Sequence, residues 1–256
     1  MAVSTAAAFK SGLYADPRPD WLAQHREDVI DPERPVVDPH HHLWDRGGQR
    51  YLIEELTADI GSGHNVIATV YVEARSMYRA NGPEAFRPVG EVEFANGAAA
   101  MGASGGYGRA AVCAGIVGHV NLLLGDGARP VLEAEIAAGG GRFRGIRHSS
   151  AWDADADVAG LYATRPKGLL LDSSFRKGFA CLAPLGLSFD AWLLEPQLPD
   201  LIAAEHQAGS ADGTPGARAF LAGAVEPGAR PFADSGAFLL CDGCEDREHR
   251  VTEHAA

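Results

Sequence analysis

The chain has 256 residues, of which 46% are hydrophobic and 22% charged, so it is long enough to bury one sizeable core. Its formal net charge of -12 disfavours phosphate backbones and anionic lipid as partners, which argues against nucleic-acid and membrane binding. The four cysteines are too few for a disulfide scaffold, and no run approaches the roughly 18 apolar residues of a membrane helix. The first ten residues also lack a targeting signal, so we expect a cytoplasmic protein.

Short β-rich runs alternate with helix-compatible stretches along most of the chain. After a polar lead-in over residues 1–34, predicted strands cover 35–40, 65–74, 111–120, 143–147 and 187–194. Predicted helices lie between them at 54–60, 89–101, 130–138 and 173–185, and a fifth helix ends near Glu205. This alternation is typical of a parallel sheet built from βα units. We predict an α/β fold with about five βα units over residues 35–205.

The remaining residues do not resemble the rest of a (β/α)8 barrel, which would need three more units. After residue 205 the chain has no isoleucine and only two valines, Val225 and Val251, whereas buried parallel strands are rich in Val, Ile and Leu. Its apolar patches are residues 220–224 and 237–240. We therefore predict an incomplete TIM-type barrel followed by an irregular tail over residues 206–256.

The strongest chemical signal lies at the end of the first predicted strand, where an apolar run leads into Asp38, His40, His41 and His42. Side chains alternate along a strand, so His40 and His42 share one face while His41 points to the other. Two imidazoles so spaced at the carboxyl end of a parallel strand can bind one divalent ion, at the mouth where barrels keep their active sites. Asp38, one step deeper, would orient an imidazole. The alternative is that these histidines only satisfy loop hydrogen bonds.

Strand alternation places further candidates at the mouth. In the second strand Thr69, Tyr71 and Glu73 share a face, which we predict to point into the barrel, so that Glu73 reaches the mouth. There Glu73 would ligate a metal or bind a substrate hydroxyl, and a structural ion pair is an equal alternative. The third strand places His119 at the mouth, although a lone histidine at a strand end is more often structural.

The fourth strand offers Arg144, Arg147 and His148, which alternation prevents from all pointing inward. Arg147 lies nearest the carboxyl end among the two arginines, and a guanidinium can bind a substrate carboxylate with two parallel hydrogen bonds. We therefore favour Arg147 for substrate binding, with an ordinary ion pair as the alternative. Trp192, after the fifth strand, is predicted to be core or a wall of the pocket.

With these motifs, the chain resembles the amidohydrolase-related family of metal-dependent and metal-independent hydrolases, particularly its lactonase-like branch. The resemblance covers residues 20–202 and rests on separated blocks in the family's order, namely 37–45, 63–66, 69–74, 88–94, 115–119, 142–148 and 189–192. It implies a (β/α)8 barrel that hydrolyses a lactone, ester or amide, with water activated by a metal or a general base. The family's first-strand histidine pair corresponds to His40 and His42.

Some family features have no counterpart here. The family places a histidine at the end of its sixth strand and an aspartate, commonly the base, after its eighth, and neither occurs in a matching context. Glu195 stands before Pro196 and Gln197, where many relatives have a histidine.

We predict from these residues a hydrolase of a small, carboxylated lactone, ester or amide, whose partner is the small-molecule substrate. The catalytic residues would be His40, His42 and Glu73, with the two histidines as ligands of Zn or Mn if a metal is used. Substrate binding would fall to His119, Arg147 and Trp192. A metal-free site and a homo-oligomer both remain open.

Two other interpretations compete with this one. A truncated or frame-shifted remnant that departs from the family after about Ile202 would lack the base and catalyse poorly or not at all. A zinc knuckle is suggested by the spacing of Cys241, Cys244, His249 and His254. The knuckle is disfavoured because the tail lacks the basic and aromatic neighbours of a nucleic-acid-binding module.

Overall fold

The structure is a computed structural model that describes residues 18–46, 49–155, 158 and 165–208, together with two short strands at 219–222 and 237–239. The elements, in chain order, are α1 (Pro19–Leu22), β1 (Pro35–His41), β2 (Trp44–Arg46), β3 (Gln49–Tyr51), α2 (Ile53–Ile60), β4 (Asn65–Val72), α3 (Val89–Ala103), β5 (Ala111–Gly118), α4 (Ala128–Ala138), β6 (Phe143–Arg147), α5 (Ser173–Ala180), β7 (Ser188–Ala191), α6 (Leu198–Ala208), β8 (Ala219–Ala222) and β9 (Ala237–Leu239). Within this described part of the chain, no helix is both long and apolar enough to span a membrane.

One curled sheet organises the molecule, with the strand order β1-β4-β5-β6-β7-β8-β9. All neighbours pair in parallel from β1 to β8, and β9 pairs antiparallel with β8. Strands β2 and β3 form a separate antiparallel pair. The predicted α/β fold of about five βα units in an incomplete barrel is therefore confirmed, and the carboxyl ends of β1, β4, β5, β6 and β7 meet at one end of the sheet.

Two short segments within the predicted irregular tail are strands in the structure. Strand β8 extends the sheet beyond β7, pairing Phe189 with Ala219 and Ala191 with Leu221, and β9 pairs with β8. These strands coincide with the apolar patches noted in the sequence, and an open sheet edge such as that of β7 offers unpaired backbone groups to any such segment. The rest of the tail, including all four possible zinc ligands of the knuckle, lies outside the described residues.

The core lies between the sheet and the helices. An aromatic group formed by Phe175, Phe179 and Phe189 is fully buried, with the Phe179 and Phe189 rings 5.1 Å apart and nearly perpendicular. Burial of each such ring contributes about 1.5–3 kcal/mol. The Asp172 carboxylate caps α5 by accepting hydrogen bonds from the backbone of Ser174 and Phe175, which fixes the helix that carries two of these rings.

Candidate active site

The two predicted histidines come together at the carboxyl end of β1. The Nε2 atoms of His40 and His42 lie 3.3 Å apart, and their rings meet edge to face. His41 points to the opposite side of the strand, where its Nε2 lies 2.9 Å from the Thr69 hydroxyl. The alternation of the three histidines along β1 therefore follows the prediction.

Both histidines are neutral near pH 7. Burial, as the largest cause, and the positive charge of Arg147 together lower the pKa of His40 to about 4 and that of His42 to about 3. The Nδ1 atom of His42 lies 2.7 Å from the carbonyl oxygen of Val72. Because a carbonyl can only accept, Nδ1 carries the proton and the Nε2 lone pair of His42 faces His40.

Asp38 has a different role from the one predicted. Its carboxylate accepts a hydrogen bond from the backbone N–H of His40 at 3.0 Å, so it holds the strand end and not an imidazole ring. The group that orients a ring is the Val72 carbonyl, which fixes His42 from the neighbouring strand.

A buried ion pair links β4 to β6 beside the histidines. Arg147 donates from Nε to Oε1 of Glu73 at 2.9 Å and from Nη2 to the Glu73 backbone oxygen, and the two side chains are only 10% and 9% exposed. Its Nη1 lies 3.4 Å from Nε2 of His40, and its guanidinium carbon lies 5.5 Å from the centre of the Trp192 ring. Among the roles left open for Glu73, the ion pair is the one present in the structure.

The prediction that Thr69 and Tyr71 face the barrel interior is wrong. The Thr69 hydroxyl accepts from the backbone N–H of Cys113, and the Tyr71 hydroxyl donates to the Glu91 carboxylate of α3, so both point to the helix layer. Polar groups are tolerated on that face because partners there satisfy them. Glu73 reaches the mouth for another reason, since β4 ends at Val72 and the chain turns after it.

The structure places the remaining candidates, His119, His148 and Arg144, in three different environments. His119 directs Nδ1 to the carbonyl oxygen of Arg147 at 2.8 Å, and burial lowers its pKa. His148 accepts from the backbone N–H of Leu122 and its ring lies 5.4 Å from Phe175, which makes it a core residue. Arg144 is exposed and binds nearby backbone carbonyls. Arg147 is thus the basic side chain of β6 that lies beside the histidine pair.

The sequence interpretation missed Asp190 in β7. Asp190 is paired in register with Arg147, and its neighbour Phe189 packs among the rings on the helix side, so alternation turns Asp190 to the interior. Burial raises the pKa of Asp190 to about 6, against the opposing effect of the Arg147 charge. An acid that alternates with buried apolar residues in a strand was the available signal.

The histidine pair suits two ligands of one metal ion. Two nitrogens bound to a tetrahedral zinc at about 2.0–2.1 Å are separated by roughly 3.4 Å, close to the 3.3 Å found here. The hydrogen bond from His42 Nδ1 to a carbonyl is the usual support of a metal-binding imidazole. Within the described ranges no group of three His, Cys, Asp or Glu residues lies close enough together to hold an ion.

Comparisons with known proteins give consistent matches. A family model described as amidohydrolase matches residues 37–227, which begins later than the 20–202 range of the resemblance in the sequence and ends beyond it. Similar solved structures include a Burkholderia multivorans amidohydrolase with bound HEPES, at 23% identity and a TM-score of 0.45, covering 68% of this chain and 53% of that one. A form of the same protein with bound zinc is 24% identical, with a TM-score of 0.43, and the match covers 68% of this chain and 54% of that one.

Amidohydrolase 2 from Bifidobacterium longum subsp. infantis is also similar, at 18% identity and a TM-score of 0.36, with 68% of this chain and 57% of that one covered. This chain therefore spans little more than half the length of the solved structures that it matches. No curated protein sequence matches it.

Proposed function

Because this chain belongs to the amidohydrolase family, we propose that it hydrolyses a small lactone, ester or amide at a mouth cluster formed by His40, His42, Glu73, Arg147 and Trp192. The observation that carries the proposal is the pair of neutral imidazoles whose Nε2 atoms face each other at 3.3 Å. The Nε2 of His42 has a free lone pair, so His40 either donates a proton to it or shares a cation with it. The shared cation provides an electrophilic centre for a carbonyl oxygen, and the His40 N–H does so when that oxygen replaces the His42 lone pair as its acceptor.

A divalent ion, Zn or Mn, would be held by His40 and His42. When bound, such an ion supplies Lewis-acid polarisation of the substrate carbonyl. In a metal-free site, the Nε2–H of His40 would donate to the same oxygen in place of the His42 lone pair, because this N–H has one proton to share. In both cases the Val72 carbonyl keeps His42 in one orientation.

Arg147 supports a carboxylated substrate. Its Nε and Nη2 are bound by Glu73, which leaves Nη1 directed toward His40 and the mouth. The ring of Trp192, 5.5 Å from the guanidinium carbon, and the paired Glu73 hold the guanidinium in place, so little side-chain freedom is lost when a substrate carboxylate binds to it. His119 also holds Arg147 in place, through a hydrogen bond between its Nδ1 and the backbone oxygen of Arg147.

Asp190 is the carboxyl group that we propose as general base. The family's base after the eighth strand has no counterpart in this sequence, whereas Asp190 faces the interior beside Arg147. Its pKa of about 6 lies close to neutral pH, where a base is both ionised and able to accept a proton. Asp190 would take a proton from the attacking water and return it to the leaving oxygen or nitrogen.

A cytoplasmic location and a small-molecule partner are part of this proposal. The free thiols of Cys113 and Cys181 are compatible with a reducing compartment, and the net charge of -12 disfavours nucleic acid.

The test is an assay of paired small lactones and acyl amides, with and without a carboxylate, using the wild type, Asp190→Asn and the exposed control Glu133→Gln. We expect turnover of the carboxylated members, rising with pH through about 6. Asp190→Asn should lose about 10²–10⁴ in rate, the usual contribution of a base, and Glu133→Gln should lose none. No turnover of any member by the folded wild type would contradict the proposal and favour the non-enzymatic remnant.

A further inference from the structure

A buried carboxylate outside the mouth cluster holds the segment that carries Glu73. Glu91, in the first turn of α3, is only 1% exposed. Its Oε1 accepts three hydrogen bonds, from the Tyr71 hydroxyl at 2.7 Å and from the backbone N–H groups of Ala74 at 2.7 Å and Ser76 at 2.9 Å. Glu91 therefore joins α3 to the end of β4 and to the turn that follows it.

That turn has an unusual backbone. Arg75 and Met77, on either side of Ser76, have φ angles of 58° and 55°, a region that residues other than glycine rarely adopt. Alternating backbone conformations of this kind turn successive N–H groups toward one point and form a binding site for an anion. Here the anion is the side chain of Glu91, so the turn is stabilised by a carboxylate from the protein itself.

A second contact fixes the same turn on α3. A Cβ atom at Gly90 would lie 2.7 Å from the Met77 carbonyl oxygen and 2.8 Å from the Arg79 backbone nitrogen, so only glycine lets the turn approach this closely. Gly90 and Glu91 are adjacent, and together they determine both the distance and the hydrogen bonding between turn and helix.

The turn leads directly to the mouth cluster. Glu73 precedes Ala74, its backbone N–H donates to the carbonyl oxygen of Val117, and its carboxylate binds Arg147. Arg147 in turn lies 3.4 Å from His40. A displacement of the turn would therefore move Glu73 and release the guanidinium that faces the histidine pair.

We propose that Glu91 is a positioning residue, which fixes Glu73 and Arg147 at the mouth through the turn over residues 74–77. Glu91 does not contact the mouth cluster itself and acts through the backbone of Ala74 and Ser76. The inference rests on the proposed function only in treating the mouth cluster as the active site.

The test uses nuclear magnetic resonance of ¹⁵N-labelled full-length protein, because it needs no enzymatic activity. The Nε–H of Arg147 reports its bond to Glu73, and its hydrogen exchange is compared in the wild type, Glu91→Ala, Glu91→Gln and Glu135→Gln. Glu135 is a matched control, since it is also fully buried but its carboxylate makes no side-chain hydrogen bond.

In Glu91→Ala we expect the Arg147 Nε–H to exchange about tenfold faster, as for the loss of one net hydrogen bond. Glu91→Gln should restore most of the protection, because its carbonyl oxygen can accept from the same donors. Glu135→Gln should resemble the wild type. Unchanged exchange in a folded Glu91→Ala protein would overturn the proposal.

If Glu91→Ala does not fold, titration of the wild type and Glu91→Gln gives the answer. The groups that face Glu91 are Tyr71, Glu73, Tyr78 and Glu135. In the wild type the amide signals of Ala74 and Ser76 and the Arg147 Nε–H signal should share a transition near pH 7, and Glu91→Gln should lose it, leaving for Arg147 the transition of Asp190 near pH 6. An Arg147 signal that stays constant while the amides titrate would refute the proposal. Absent turnover with these shifts present would count only against the proposed function.

Discussion

Two clusters of ionisable side chains respond to burial in opposite ways. In the mouth cluster, burial lowers the pKa of His40 and His42, so these histidines lose their protons. In an acid cluster between the sheet and helices α3 and α4, formed by Tyr71, Tyr78, Glu91 and Glu135, burial raises the pKa of Glu91 to about 7 and that of Glu135 well above its usual value. Both acids therefore hold their protons to higher pH than exposed carboxyl groups do.

The two clusters also differ in whether they contain a cation that pairs with an acid. The mouth cluster retains one fully charged pair, Arg147 with Glu73, whose side chains are nearly buried. The acid cluster has no cation in hydrogen-bond contact with Glu91 or Glu135 among the described contacts, and three of their four carboxylate oxygens lack a partner. The ion pair at the mouth can contact a substrate, whereas the acids behind the sheet lie away from the mouth and support structure.

Removing the cation from the mouth cluster should give the largest effect. Arg147→Met leaves the Glu73 carboxylate buried and unpaired, so we expect a loss of about 3–5 kcal/mol in the free energy of unfolding. Urea denaturation measures it, with Arg144→Met on the same strand as the exposed control, expected to change stability by about 0.5 kcal/mol or less. A double variant with Glu73→Gln should recover part of the loss. Equal effects of Arg147→Met and Arg144→Met would show that the pair is not a buried unit.

The histidines should make the protein sensitive to acid. Because the pKa of His42 falls from 6.5 to about 3 on folding, the folded state binds fewer protons between these values. The free energy of unfolding therefore rises with pH in this window. The contribution of His42 is lost as pH falls below about 6.5, by up to about 1.4 kcal/mol per pH unit for one group.

His42→Asn keeps a donor for the Val72 carbonyl but does not titrate. Between pH 6.5 and 4 its stability should fall less steeply than that of the wild type, measured by urea denaturation at each pH. Parallel curves for the two proteins would indicate that His42 is not buried as a neutral base.

The acid cluster should show the reverse sign. A raised pKa means that the folded state binds more protons than the unfolded state above about pH 4.5, so the contribution of Glu135 to stability falls as pH rises. Glu135→Gln removes this dependence and should be more stable than the wild type at pH 8, by about 1–2 kcal/mol, the scale of one buried unsatisfied group. Thermal melting at pH 5 and pH 8 tests it. An equal change at both pH values would mean that Glu135 does not titrate differently on folding.

The smallest expected effect concerns the wall of the mouth. Trp192→Leu removes the ring beneath the Arg147 guanidinium, and a cation–π contact at a partly exposed site contributes about 0.5–1 kcal/mol. If Trp192 serves mainly to hold Arg147, the rise in substrate KM, converted to a free energy, should exceed the loss in the free energy of unfolding. An unchanged KM in the variant would leave Trp192 as a packing residue.

The local pattern of residue types in the sequence was sufficient to predict much of the fold and the histidine motif of the first strand. The period-two alternation of β1 placed His40 and His42 together, and the five main strands begin within one residue of their predicted starts. Strand β4 ends two residues early because Arg75 and Met77 adopt positive φ angles, which neither residue type signals.

Contacts between distant residues account for what the sequence did not reveal. The Glu73–Arg147 pair joins residues 74 positions apart, and its existence depends on neighbouring strands that only the folded sheet brings together. Tyr71 faces the helices because Glu91, from α3, supplies its partner there. Neither partner choice is encoded in the alternation of a single strand.

The most direct test of the mouth cluster is zinc binding, measured by titration calorimetry on the metal-stripped wild type and on the double variant His40→Ala, His42→Ala. With two neutral imidazoles 3.3 Å apart, the wild type should bind one zinc ion per chain, and the double variant should bind at least about tenfold more weakly. Equal affinity and stoichiometry in the two proteins would contradict a metal role for the pair and leave His40 and His42 as hydrogen-bonding groups.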